Sequence, residues 1–380
     1  MLMHGKRSIL FIKPIVIYCN IFGVIPLYNF EKREVSINNW YYSWVALHWM
    51  FMLVMLIYEY FVKCVELKAK NSEYVFLIFE TITTLLGTLT IFMMLFNGHC
   101  KTKQWEELFR RISFMENIVN LNTEHMKETN FFKCPFLHFI CINFIFFILN
   151  ITRVDSKYFP LNHRQITFYY SFLYLLIQSN FTSSILYKYE DINRNLLKLR
   201  KANVLQSTTA LRRIKKCRKM YHEMGKIIGI LNDLFGFPLF SIYGFCGCQI
   251  LYLCTDVYVI VAIPTHMAAY SWPLNSALVT VLVVLTLWIT SIHYDMVSSQ
   301  SNKLVTTCYA IQKNLNIFCE RRQELVDFCD QIEMRKVKFS AARFFTINRS
   351  VIFTHVSVAA SYFIVIVQFL NADKKDRELS

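Results

Sequence analysis

The stretch that decides the reading is "SYFIVIVQF", Ser361 to Phe369, close to the end of the chain. Five apolar residues stand between Tyr362 and Gln368, inside a longer apolar run over residues 350–370. If that run crosses a bilayer as a helix, the Gln368 amide meets no water in the hydrocarbon. It needs either a partner helix or an aqueous path.

The rest of the chain says that the run does cross. Its 380 residues are 55% hydrophobic and 16% aromatic with only 9 glycines, more apolar surface than a soluble domain of this size hides. Apolar runs near the ~20 residues that span a ~30 Å hydrocarbon core as helix recur at 42–62, 74–96, 135–151, 166–187, 237–263, 274–293 and 350–370. They predict an all-α membrane protein with seven transmembrane helices. An eighth stretch, residues 9–28, is interrupted by Lys13, Pro14, Gly23 and Pro26 and is read as interfacial or re-entrant. It carries no small-residue cleavage pattern, so a retained N-terminus is expected.

Net charge is +15, and 32 of the 41 Lys and Arg residues fall before the first span or in the second, fourth and sixth connections. Cytoplasmic segments keep such residues. The expected order is a cytoplasmic segment 1–41, spans 1–4 within 42–187, a cytoplasmic loop 188–236, and spans 5–6 within 237–293. A second cytoplasmic loop 294–349, the last span 350–370 and a short extracellular tail 371–380 follow. This orientation is opposite to that of receptors coupled to G proteins, and no DRY-like or NPxxY-like segment accompanies it. No inverted repeat of a transporter is visible either.

Both long loops are amphipathic. Leu211, Ile214, Cys217, Met220, Met224, Ile227, Leu231 and Leu234 recur at spacings of three and four, as do Leu304, Cys308, Ile311 and Leu315, then Leu325, Phe328 and Ile332. A helix continuing twenty residues past the membrane reaches ~30 Å beyond lipid, so these stripes predict a packed cytosolic helical layer.

No glycine-rich phosphate loop, GxSxG, HExxH or paired metal spacing occurs, so no enzyme, cofactor or metal site is expected. The basic charge is accounted for by topology, without nucleic acid. The 12 cysteines are scattered between spans and charged loops and read as free thiols. Among intramembrane polar residues, Glu59, Glu80 and Asp256 each fit either a ligand contact or a polar contact between helices. A small-molecule chamber in the outer half of the bundle draws on Glu80, Thr83, Thr84, Asn150, Tyr169, Tyr170, Tyr174, Tyr252, Asp256 and Trp288, which mix aromatic faces with a few polar groups.

The C-terminal residues also carry a family likeness. Ser361-Tyr362, five hydrophobic residues and Gln368-Phe369 resemble the hallmark of the insect gustatory receptors, with Ser where the family has Thr. The longer run "AARFFTINRSVIFTHVSVAASYFIVIVQF" and the N-terminal "IFGVIPLY", residues 21–28, are similar to further family elements. The resemblance implies a tetrameric, ligand-gated, cation-permeable channel of the plasma membrane of chemosensory neurons, homomeric or shared with other gustatory receptors and embedded in lipid. In it the last span lines a central pore, and a small tastant binds in the outer half of each bundle. Phe363 stands where the sugar-sensing branch carries an acid, which leans the expectation to bitter-type plant compounds. An odorant receptor subunit is the nearest alternative. In such a pore Gln368 and Phe369 form the outer gate, with Ile364 or Val365 below and Ser361 and Tyr362 a turn or two deeper.

Overall fold

The computed structural model describes residues 15–29, 32, 34–35, 39–69, 74–119, 163–199, 208–262, 271–313, 315 and 320–379. The third predicted span and Asn150 lie outside them. The helices are α1 (Asn39–Ala69), α2 (Tyr74–Cys100), α3 (Thr102–Val119), α4 (His163–Leu199), α5 (Thr208–Ala262), α6 (Ser271–Gln312), α7 (Glu320–Met334) and α8 (Arg349–Leu379). Two short antiparallel hairpins complete them, β1 (Tyr28–Asn29) with β2 (Glu34–Val35) and β3 (Ser340–Ala341) with β4 (Phe345–Thr346).

Among the described residues four helices are long and apolar enough to cross a membrane, over Thr81–Cys100, Thr209–Thr255, Thr280–Gln312 and Arg349–Gln368. The predicted fourth span lies in α4 but is richer in polar residues, and burial explains why it is tolerated. Gln165, Thr167, Ser171, Gln178 and Thr182 are all buried, because protein and not lipid surrounds that helix.

The long loops are helical continuations of the spans. α5 runs 55 residues without a break, about 80 Å at 1.5 Å per residue and far more than a bilayer core. Its predicted stripe closes against α6 and α7: Ile214, Met220, Met224 and Leu231 are buried, as are Leu304, Cys308, Ile311, Leu325, Phe328 and Ile332. The expected helical layer is therefore present. Residues 371–379, expected as a tail, continue α8 as helix.

Residues 15–21 form a short helix that enters the bundle. Val16, Cys19, Val24 and Ile25 are fully buried, so in this stretch, expected to be interfacial or re-entrant, protein takes up the apolar face. Tyr41 and Trp44 of α1 donate to the Ile25 and Ile21 carbonyls at 3.1 and 2.7 Å. Gly98 of α2 lets this segment pass, since a Cβ there would lie 2.6 Å from the Val24 carbonyl oxygen.

Candidate functional site

α8 is the least covered of the apolar helices. Of its membrane-length window 17% is buried, against 39–61% for the other three. One narrow seam attaches it to the protomer through Ile352, Ala359 and Ile366, spaced by seven residues. His355 sits beside that seam, and its Nε2 is 3.1 Å from the Tyr243 carbonyl oxygen.

On the opposite side Ser350, Thr354, Ser357, Ser361, Ile364 and Gln368 recur at alternating spacings of four and three, and all are exposed. With ~100° between successive helical residues, this stripe lies about half a turn from the seam. A row of hydroxyls ending in an amide thus runs along an apolar helix and faces away from the rest of the bundle. Thr354 and Ser361 return their hydroxyls to the Ser350 and Ser357 carbonyls at 3.1 and 3.0 Å, which lowers their cost in an apolar setting. Tyr362 and Val365 are exposed flankers of the row. The side chain of Phe369 lies outside the described residues.

The N-terminal end of α8 is anchored. The Asn348 side chain accepts from the Val351 amide at 3.2 Å as an N-cap, and Asp295 of α6 accepts from both the Arg349 amide and its guanidinium at 3.1 and 3.2 Å.

The chamber residues divide into groups. Gly87 of α2 sets the level: a methyl there would lie 2.9 Å from Thr167 Oγ1 and 3.2 Å from the Phe245 ring. One turn further along antiparallel α2 and α5 come Thr83, half-buried Thr84, Gln249 and then Tyr252. Thr83, Gln249 and Tyr252 are all buried. The Glu80 and Asp256 backbones follow at the same end, with side chains outside the described set. Tyr169 and Tyr170 instead serve the N-terminal segment. The Tyr169 hydroxyl bonds that of Tyr18, and Phe22 meets both rings edge-on at 5.4 and 6.0 Å.

Tyr174 and Trp288 depart from the expected chamber. Tyr174 is fully buried near the opposite end, where its hydroxyl donates to the Leu234 carbonyl at 3.0 Å. Trp288 turns outward and meets Phe353 of α8 edge-on at 5.5 Å. Counting depth from the ends of predicted spans put these residues at one level. The register of α4 against α5 sets Tyr174 several turns away, beside Leu234, whereas Trp288 departs because α6 turns it toward α8.

Sequence reasoning missed Gln249. It is enclosed by protein, at 0% accessibility, and neither its amide oxygen nor its nitrogen has a hydrogen-bond partner among the described residues. A buried amide without partners costs several kcal/mol by solvent-transfer reference, or ~1–3 kcal/mol by mutational data. Its signal was readable, as an amide inside an apolar run like Gln368. Asn97 was missed too. Its side chain donates to the Leu234 carbonyl at 2.6 Å, beside Tyr174.

In the helical layer, Arg111 of α3 bridges Glu107 at 2.6 Å and Glu223 of α5 at 2.5 Å, while Lys226 reaches Glu223 at 2.8 Å. Burial raises the Glu223 pKa, but Lys226 and Arg111 outweigh it and hold the carboxyl below its usual value.

A family model described as 7tm chemosensory receptor matches residues 12–370. Among solved structures, the fold is similar to the insect olfactory receptor OR5 from Machilis hrabei, with a TM-score of 0.62 at 13% identity over 96% of this chain and 99% of that one. The same receptor in complex with eugenol gives a TM-score of 0.56 at 12% identity and the same coverage. The sequence finds no significant match among curated proteins.

Proposed function

The chain belongs to the 7tm chemosensory receptor family, and from that premise we propose that it is a gustatory receptor: a ligand-gated, cation-permeable channel of four subunits. The observation that carries the reading is the stripe Ser350, Thr354, Ser357, Ser361, Ile364 and Gln368, exposed on the side of α8 turned away from its own bundle. Hydroxyls and an amide facing lipid would be costly, whereas four such helices around an axis give them water and ions. Ile364 and Val365 supply apolar rings that close the path by dewetting, beneath an outer gate of Gln368 and Phe369.

The tastant occupies the end of the bundle around Thr83, Thr84, Gln249 and Tyr252, with Glu80, Asp256 and Asn150 as further candidates. Gln249 favours a neutral, mainly apolar molecule with one group that both accepts and donates a hydrogen bond. Phe363 in place of an acid directs the preference to bitter-type plant compounds. Tyr362 with Gln368-Phe369 favours the gustatory branch over the odorant one. In this reading the N-terminus is cytoplasmic, and the receptor acts in the plasma membrane of chemosensory neurons, as a homotetramer or with other gustatory receptors.

Whole-cell recording from cells expressing the chain tests the proposal. Ligand-evoked cation current is expected to persist when G-protein signalling is blocked. Loss of the current under that block, or an extracellular tag at the N-terminus, rejects the reading.

A further inference from the structure

The segment that joins α7 to α8 carries Arg335, Lys336, Lys338, Arg343 and Arg349 and no acid. Its burial alternates: Val337, Phe339 and Ala341 point into the protein, while Lys336 and Lys338 are exposed and Ser340 is half-exposed. In the β3–β4 hairpin Ser340 pairs with exposed Thr346, so one outward face presents two ammonium groups and two hydroxyls.

The hairpin tip adds to that face. Ala342 and Arg343 adopt φ of 49° and 64°, the left-handed region that non-glycine residues rarely enter. The turn projects Phe344, which is 71% exposed and stacks on Phe240 of α5 at 4.9 Å, with Phe237 exposed on the same helix. Gly236 seats the turn, since a Cβ there would lie 3.0 Å from the Ala342 nitrogen. Asn232 holds the β3 side, donating to the Lys338 carbonyl at 2.9 Å and accepting from the Ser340 amide at 3.1 Å.

Most of the cations here are already engaged. Arg343 pairs with Asp233 at 3.4 Å, Arg349 with Asp295 at 3.2 Å, and Arg335 lies 3.0 Å from His222 Nδ1. Lys336 and Lys338 have no anionic partner among the described residues. The face stands where the apolar runs of α5 and α8 begin, at residues 237 and 350, and so at the depth of lipid headgroups on the Lys- and Arg-rich side of the bilayer.

We propose that the outer face of the β3–β4 hairpin is a binding site for the headgroup of an anionic phospholipid. The phosphate takes Lys336, Lys338 and the Ser340 and Thr346 hydroxyls, and the acyl chains lie along Phe344, Phe240 and Phe237. Lysine ammoniums and hydroxyls suit a phosphate that must also remain hydrated, and exposed aromatic rings suit the headgroup boundary. Because Asn348 and Arg349 follow directly and start α8, occupancy bears on the base of that helix.

The test uses the full chain, purified and placed in nanodiscs of phosphatidylcholine alone or mixed with phosphatidylserine. Wild-type protein is expected to retain phosphatidylserine several-fold above its share of the mixture and to unfold several degrees higher in the mixed discs. The double substitution Lys336→Gln with Lys338→Gln should abolish both effects, while Arg212→Gln with Arg213→Gln, at the far end of α5, should leave them. Far-ultraviolet circular dichroism checks that the variants are folded. Equal behaviour of wild type in the two discs, or retention unchanged in the Lys336/Lys338 variant, overturns the proposal. Inorganic phosphate reproducing the stabilisation in phosphatidylcholine discs overturns it in favour of a soluble anion. Phe344→Ser dissociating the oligomer with lipid retention intact overturns it in favour of a contact between copies.

Discussion

The hydroxyl of Tyr174 donates to the main-chain carbonyl of Leu234 at 3.0 Å, and that carbonyl is the one left open by Pro238. Proline has no N–H, so the acceptor four residues before it loses its helical partner. Asn97 of α2 fills the second position at 2.6 Å, and Lys101 donates to the neighbouring Asp233 carbonyl. The carbonyl freed by Pro238 within continuous α5 is thus held by α2 and α4 on one side. Residues Asn232 and Gly236 of the same turn hold the hairpin that leads into α8 on the other.

Tyr174→Phe should lower stability by about 1 kcal/mol, the net worth of one hydrogen bond, and Asn97→Leu by somewhat more. With Pro238→Ala in place, the new Ala N–H satisfies the Leu234 carbonyl, and Asn97→Leu should then cost less. Thermal midpoints of the four proteins in a double-mutant cycle give the coupling. Strict additivity would show that Asn97 does not serve the proline-freed carbonyl.

Two glycines should respond in opposite directions. Gly98→Ala places a methyl 2.6 Å from a backbone oxygen, where no side chain can rotate away, and should cost about 1–3 kcal/mol. Gly225→Ala meets nothing within 4 Å and lies inside α5, so helix propensity should raise stability by up to about 1 kcal/mol. Midpoints measured in one detergent compare them directly.

Gln249→Leu removes a buried amide that has no partner among the described residues and keeps most of its volume. The protein should unfold at a higher temperature, while its sensitivity to tastants bearing a hydroxyl or carbonyl falls about tenfold, the equivalent of about 1.4 kcal/mol. Dose–response curves on expressing cells read the second effect. A stabilised variant with unchanged sensitivity would make Gln249 a packing residue only.

Gln368→Ala should change ion selectivity or basal current, and Ser357→Val should reduce conductance by drying the row below the gate. Bi-ionic reversal potentials and single-channel records decide. Unchanged permeation in both would place the stripe outside the conduction path.

His222 in the helical layer tests the pH response. Burial, Lys226 and Arg335 lower its pKa below 6.5, against a smaller opposing effect of Glu223, so the folded protein favours the neutral ring. Its contribution is present above pH 6.5 and is lost as pH falls below that value. The midpoint of wild type should therefore drop more steeply between pH 7 and 5.5 than that of His222→Gln.

Much of this molecule was legible because hydrophobic periodicity is a local property of the chain. The stripe from Ile214 to Leu234 and the run ending in Gln368 announced a helix that outlives the membrane and a last helix with an amide near its outer end. Family membership was legible in "SYFIVIVQF" for the same reason, since the motif is contiguous. Lysine and arginine counts set an expected orientation without any coordinates.

Depth and partnership were not legible. Whether Tyr174 lines a chamber or caps the carbonyl freed by Pro238 depends on the register of α4 against α5, which is set by contacts such as Gly87 with Thr167 and Phe245. That Gln249 is partnerless, that Trp288 faces α8, and that Lys336 and Lys338 share a face with Ser340 and Thr346 all follow from long-range packing. Periodicity tells which side of a helix is apolar, and only the neighbouring elements tell what that side meets.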